Sequence, residues 1–143
     1  EDIDMIIEEM QLNDFIKMHN DLRKNKFICI QSDSPEEIYN QYLTQGNSVR
    51  YVQDEEGFFP PEMEIKFIKD ELDQEQINER TRLPLTKLNI YFSSIESNIA
   101  FKEEYLKSEK DIEDARHLRI VFAEEIKEEK INYFKSLIKK LRL

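Results

Sequence analysis

The sequence is short of cysteine, of positive charge and of long apolar runs, and each shortage removes a class of protein. Cys29 is the only cysteine among 143 residues, so no disulfide closes within the chain and no thiolate cluster holds a metal. A reducing, cytoplasmic setting is the expectation. No apolar stretch approaches the roughly 18 residues that a membrane span requires, and no signal-peptide core is present, so no membrane partner is expected. Twenty-one Lys and Arg stand against 31 Asp and Glu, a net charge of −10 with a pI near 4.8, and such a surface repels phosphate backbones. Tight non-specific nucleic-acid binding is disfavoured.

What is present is patterned. Hydrophobic residues make up 39% of the chain and fall in periodic runs rather than scattered, which argues for a folded core. The length suits one α/β or α+β domain burying roughly two-thirds of its unfolded surface. Surplus carboxylates suit a protein that holds divalent cations, because hard Mg²⁺ takes oxygen ligands. They equally suit an ordinary soluble surface.

Residues 3–8 read as a buried strand, with Ile3, Met5 and Ile7 on one face and Asp2, Asp4 and Ile6 on the other. Residues 12–25 have helical spacing, and 26–30 form a short apolar strand. "SPEEIYNQYLTQG" carries a helix signature: Ser34 as N-cap, Pro35 at N1, Glu37 closing a capping box, and Gly46 past the end. "SVRYVQD" and "EMEIKFI" read as an antiparallel pair joined across "EEGFFPP". Residues 71–82 read as helix and "KLNIYF" (87–92) as another strand. Helices follow over 95–107, 109–123 and 126–142, with Ser94 and Ser108 as caps.

Asp2 and Asp4 stand at i and i+2 on a strand, so both project from one face and can reach around one or two cations. Two-metal sites use that geometry to activate an attacking oxygen and neutralise departing pyrophosphate. Glu64 offers a third carboxylate, in line only if its strand neighbours the first. Each of these is also what a solvated strand face looks like. On helix 95–107, Lys102 falls on the stripe of Ile95, Ile99 and Leu106, where it must snorkel or meet an anion. On the next helix, Asp111, Asp114 and His117 border a stripe of Ile112, Ala115, Leu118 and Phe122. Capping by Ser108 accounts for Asp111. Asp114 lies deeper, and needs either a cation such as Lys102, Arg116 or Arg119, or a substrate hydroxyl toward which it would act as general base.

The ordered set "D-x-D … E … SIESNIAFK … KDIEDARHL" resembles the minimal nucleotidyltransferases of the DNA polymerase β-like superfamily, in particular the AbiEii-type toxin and small prokaryotic branches. The resemblance runs from Asp2 to Leu118 and is most specific over 94–118. It implies an α+β fold over residues 1–143, a mixed sheet with packed helices in a palm-like part (1–92) and a helical part (93–143). It also implies Asp2, Asp4 and Glu64 as Mg²⁺ ligands, Lys102 and Asp111 on the nucleotide side, and Asp114 near the acceptor hydroxyl. The family's Gly-Ser motif belongs before D-x-D, and the chain starts at Glu1 within an apparent strand; further sequence upstream is the expectation.

The function expected on this reading is Mg²⁺-dependent transfer of a nucleoside monophosphate from NTP to a hydroxyl on RNA, protein or a small molecule. The alternative is a catalytically inactive member that keeps the fold as a binding or regulatory protein, such as a toxin–antitoxin component. The amphipathic C-terminal helix, with Ile131, Phe134, Leu137, Ile138 and Leu141 on one face, packs on its own domain by default and otherwise offers a homodimer or partner surface.

Overall fold

The computed structural model describes residues 2–54 and 61–143. The chain is α+β and divides into two compact units, residues 1–69 and 70–143. The connection read at "EEGFFPP" lies outside the described residues over 55–60.

The first unit holds a four-stranded sheet of β1 (Ile3–Ile7), β2 (Phe27–Cys29), β3 (Val49–Gln53) and β4 (Met63–Phe67), in the order β1-β4-β3-β2. β1 runs parallel to β4, while β3 is antiparallel to both β4 and β2. One sheet face presents Ile7, Ile65, Phe67, Val49, Tyr51 and Cys29 to a core completed by Phe15 from α1 (Leu12–Lys24) and by Ile38 and Leu43. The last two lie on one continuous helical segment: α2 (Pro35–Glu37), a π-helical turn (Ile38–Tyr42) and a 3₁₀ turn (Leu43–Gln45). Ser34 caps it by accepting from the Glu37 amide at 3.3 Å. The reciprocal arm of the expected capping box is taken by Ser32, whose hydroxyl receives the Ser34 amide at 3.0 Å and donates to the Glu37 carboxylate at 2.7 Å. Gly46 stops the segment with φ 77°, a left-handed conformation open to glycine at little cost.

β1 is less buried than its sequence suggested. Its one neighbour among the described residues is β4, and Ile3 and Met5 are 54% and 39% exposed, so the apolar face enters the core only at Ile7.

The second unit is built from α3 (Glu71–Asn78), α4 (Ile95–Phe101), α5 (Glu109–Val121) and α6 (Glu128–Arg142), around Leu72, Ile99, Ala100, Ala115, Ile131, Phe134, Leu137 and Ile138. The apolar stripe of α6 thus packs within its own unit, the default reading of its pattern. Leu72 belongs to this core, so the change from sheet to helices falls at 69/70 rather than at 92/93. Among the described residues the strand expected over 87–92 does not form: Phe92 alone pairs, in an isolated bridge with Thr81, while Leu88, Ile90 and Tyr91 are exposed. Alternation alone makes no strand without a partner edge. Ser94 and Ser108 do cap α4 and α5, accepting from the amides of Ser97 and Asp111 at 3.1 Å each. Each cap stabilises its helix by about 1 kcal/mol. After α4 the helix widens into a π-helical turn (Lys102–Leu106) and ends at Lys107 with φ 57°. Among the described residues no helix is long and apolar enough to cross a membrane.

Candidate functional site: an acidic sheet face and a lysine held by two aspartates

In the first unit, side chains of β1, β4 and β3 alternate between the core and the opposite sheet face. The parallel register pairs Asp4 with Glu64, and the antiparallel register pairs Glu64 with Arg50. Paired residues point to the same side, so Asp4, Glu64 and Arg50 form a row across three strands, each step about 4.8 Å. The condition attached to Glu64, that its strand neighbour the first, is met. Asp2 lies one pleat before Asp4 on the same face, and its carboxylate accepts the Glu62 amide at 3.1 Å. Both aspartates are exposed.

Arg50 brings a cation to this face, on which Lys66 also lies, two residues beyond Glu64. Its Nε donates to Glu64 Oε2 at 3.3 Å and its Nη1 lies 3.4 Å from Glu62 Oε2. One guanidinium thereby serves two carboxylates, about half of its side chain remaining in solvent. Sequence reading passed over Arg50. The signal was there in "SVRYV", since Val49 and Tyr51 face the core and Arg50 between them must face the acids, but only the β3–β4 register connects the two.

Carboxylate oxygens on an open face are the donors that a hard divalent cation takes. Asp4 and Glu64 fit that chemistry. Among the described residues, however, no three His, Cys, Asp or Glu side chains gather closely enough to hold a metal ion. Asp2 is turned to a backbone amide and Glu64 to a guanidinium, which is why the trio stays apart.

In the second unit, Lys102 closes α4 and points inward as expected, and it meets anions. Its Nζ donates to Asp114 Oδ2 at 3.1 Å and to Asp111 Oδ1 at 3.3 Å. Burial works against the ammonium charge, but the hydrogen bonds to Asp114 and Asp111 prevail and raise its pKa. Asp111 also receives the Ser108 hydroxyl at 2.5 Å; this bond and the nearby Lys102 hold its pKa below the ordinary carboxylate value. Among the described residues Asp114 pairs with Lys102, and 45% of its side chain remains open to solvent. His117 and Arg116 are exposed. Leu106 leaves the stripe on which it was placed and is 53% exposed, because the wide turn rotates it out of phase.

Beside this triad lies a denser knot. Arg119 meets Glu103 fork to fork, Nε to Oε1 at 2.6 Å and Nη2 to Oε2 at 3.0 Å, and Lys135 joins the same carboxylate at 2.5 Å. The Arg119 hydrogen bonds outweigh the cost of burial and, with Lys135, bring the Glu103 pKa down to about 2.

No family model, no curated protein and no solved structure matches the chain.

Proposed function

We propose that this is a nucleotidyltransferase-like protein, moving a nucleoside monophosphate from NTP to a hydroxyl acceptor with the help of Mg²⁺. The observation that carries this reading is the register that sets Asp4 opposite Glu64, with Asp2 one pleat away on the same open face. Asp4 and Glu64 would hold the cation, joined by Asp2 on release from the Glu62 amide. Mg²⁺ bound there supplies Lewis-acid stabilisation of the triphosphate and of the departing pyrophosphate.

The roles of Lys102, Asp111 and Asp114 come from the resemblance and suit the chemistry of the second unit taken by itself. An ammonium has three donors; Lys102 spends two on Asp111 and Asp114 and keeps one for a phosphate oxygen. Asp114, with 45% of its side chain open to solvent, would act as general base toward a hydroxyl.

The test is Mg²⁺-dependent release of pyrophosphate from NTP across candidate acceptors of RNA, protein and small-molecule type. Release by the native chain and its loss in Asp4→Ala is the expected outcome. No release, with no effect of Mg²⁺ or NTP on melting temperature, overturns the reading.

A second reading is favoured by the pairing of the charged groups within each unit: Glu64 is taken by Arg50, and Lys102 by two aspartates. On it, the chain is a catalytically inactive relative of such enzymes that binds or regulates, for example as a toxin–antitoxin component. Nucleotide-induced stabilisation without pyrophosphate release selects it.

A further inference from the structure

Residues 80–92 belong to neither candidate site, and they include the stretch "KLNIYF" whose strand pattern the fold leaves unpaired. We propose that residues 88–91 take up a partner strand: an extended peptide segment of another protein in which Asp or Glu alternates with apolar residues. The inference draws on no residue of the nucleotidyltransferase reading and is tested apart from it.

The backbone supplies the first argument. Phe92 exchanges both of its hydrogen bonds with Thr81, at 2.7 and 2.8 Å, which starts an antiparallel ladder that goes no further. Among the described residues the N–H and C=O groups of Asn89, Ile90 and Tyr91 have no protein partner. The chain bends at Asn89 and Ile90, and a strand laid alongside would straighten it and pair those groups. The side chains suit the same occupant, since Leu88, Ile90 and Tyr91 are each more than half exposed and have the residue types that pack in sheets. A bilayer would cover those side chains but leave the backbone groups unpaired in hydrocarbon, which is costly. An extended peptide covers both.

Charge sets the partner's chemistry. From Arg80 to Ile95 the chain has three cations and no Asp or Glu. Arg80 and Arg82 both lie over the Tyr91 ring, 4.6 and 4.7 Å from its centre, and the ring holds them in place. Arg80 gives one hydrogen bond to the Ile77 carbonyl and Arg82 one to the Tyr91 hydroxyl, so each guanidinium keeps donors for a carboxylate. Among the described residues no acid pairs with Arg80, Arg82 or Lys87. Glu79, Glu96 and Glu125 border the shallow hollow that Arg80 lines, with Glu79 taken by Lys130 at 2.6 Å and Glu96 accepting the Lys127 amide at 3.3 Å. Arg82 and Lys87 lie outside that hollow and carry most of the attraction.

The experiment selects a displayed library of random linear peptides on the full chain, with counter-selection on the Arg82→Gln/Ile90→Ser double variant. The enriched peptides are expected to alternate Asp or Glu with Val, Ile or aromatic residues. One of them, made synthetically and followed by fluorescence anisotropy, should bind roughly two- to fivefold more weakly to Arg82→Gln or Lys87→Gln. Ile90→Ser should weaken it roughly tenfold. Methylating the peptide amides that face the segment abolishes binding, and methylating those of its other edge leaves it unchanged. Thermal melting checks each variant, and the methylated peptides, which need only the native chain, carry the test if a variant does not fold.

No enrichment over the double variant overturns the proposal, as does a consensus without acids or binding indifferent to which amides are methylated. Retention on phosphatidylserine vesicles that the double variant loses would assign the segment to a bilayer, and self-association that it loses would assign it to a second copy. Either result overturns the peptide reading.

Discussion

Residues 1–69 carry fifteen Asp and Glu against seven Lys and Arg, whereas residues 70–143 carry sixteen against fourteen. The net charges are −8 and −2, yet the two units hold nearly the same number of acids. The difference lies in what the acids meet. In the helical unit, Glu103 meets Arg119 and Lys135, Glu79 meets Lys130, Glu71 meets Lys140, and Asp70 and Asp73 meet Arg142. In the sheet unit, Glu62 and Glu64 share Arg50, and the carboxylates of Asp2 and Asp4 lie exposed on the same face. Acids that tie helices together explain themselves by stability. On the open sheet face, Glu62 and Glu64 share one exposed guanidinium, a weaker tie than the helical unit's pairs.

The comparison breaks most visibly at Glu103. Glu103→Gln removes the common partner of Arg119 and Lys135, whose side chains are only 29% and 23% exposed; Arg119 keeps its pair with Glu128, and Lys135 loses its carboxylate. A loss of about 2–3 kcal/mol is expected, between the values for surface and buried pairs. Urea denaturation measures it, and hydrogen exchange should place the lost protection in α4–α6 rather than in the sheet. A loss below about 0.5 kcal/mol would mean that the helical unit's pairs are ordinary surface contacts.

Acid should act on the two units in different windows, which sharpens the contrast. His19 in the sheet unit is 2% exposed, and its Nδ1 is 2.7 Å from the buried hydroxyl of Tyr51. Burial, then the nearby Arg23, hold its pKa below the usual 6.5, against the opposing pull of Asp33 and Glu36. The unfolded chain therefore takes up a proton that the folded unit refuses, and stability falls as pH drops below about 6.5. The Glu103 pKa is lowered as well, from 4.5 to about 2, but in a lower window: its contribution is complete above pH 4.5 and is lost between there and pH 2. Hydrogen exchange followed from pH 7 to pH 3 should show sheet protection falling first. Tyr51→Phe, which leaves the imidazole nitrogen unpaired, costs about 1–2 kcal/mol and affects the sheet alone. Equal loss in both units across pH 6 would remove His19 as the cause.

Local signals were legible in the sequence and pairings were not. Ser34, Ser94 and Ser108 announced helix starts because a cap is a contact over three residues, and all three hold. Lys102 was legible as an inward cation, and its partners lay on the next helix, twelve residues away at most. "KLNIYF" misled because β-propensity describes a surface that fits a sheet, and among the described residues the pairing it makes is Phe92 with Thr81. The π-helical turn at Lys102–Leu106 was invisible because one extra residue in a turn leaves the apolar pattern intact up to that point. For the acidic face, the D-x-D spacing fixed two acids, but Glu64 and Arg50 joined them only through strand order, a long-range property.

The smallest effect is the most informative about that face. If Asp2, Asp4, Glu62 and Glu64 together outweigh the cations of their face, Arg50 and Lys66, then removing one charge should relieve the free protein rather than weaken it. Asp4 is exposed on an edge strand, so packing contributes little to the outcome. Asp4→Asn is therefore expected to raise stability by a few tenths of a kcal/mol in the absence of divalent cations, by analogy with like-charged neighbours elsewhere. Millimolar Mg²⁺ should reverse the order, because the native chain gains binding energy that the variant lacks. Melting curves with and without Mg²⁺ decide it. The same substitution with the same sign in both conditions would make Asp4 a solvated residue of the strand; a change of sign would make it a ligand whose repulsion is kept for the cation.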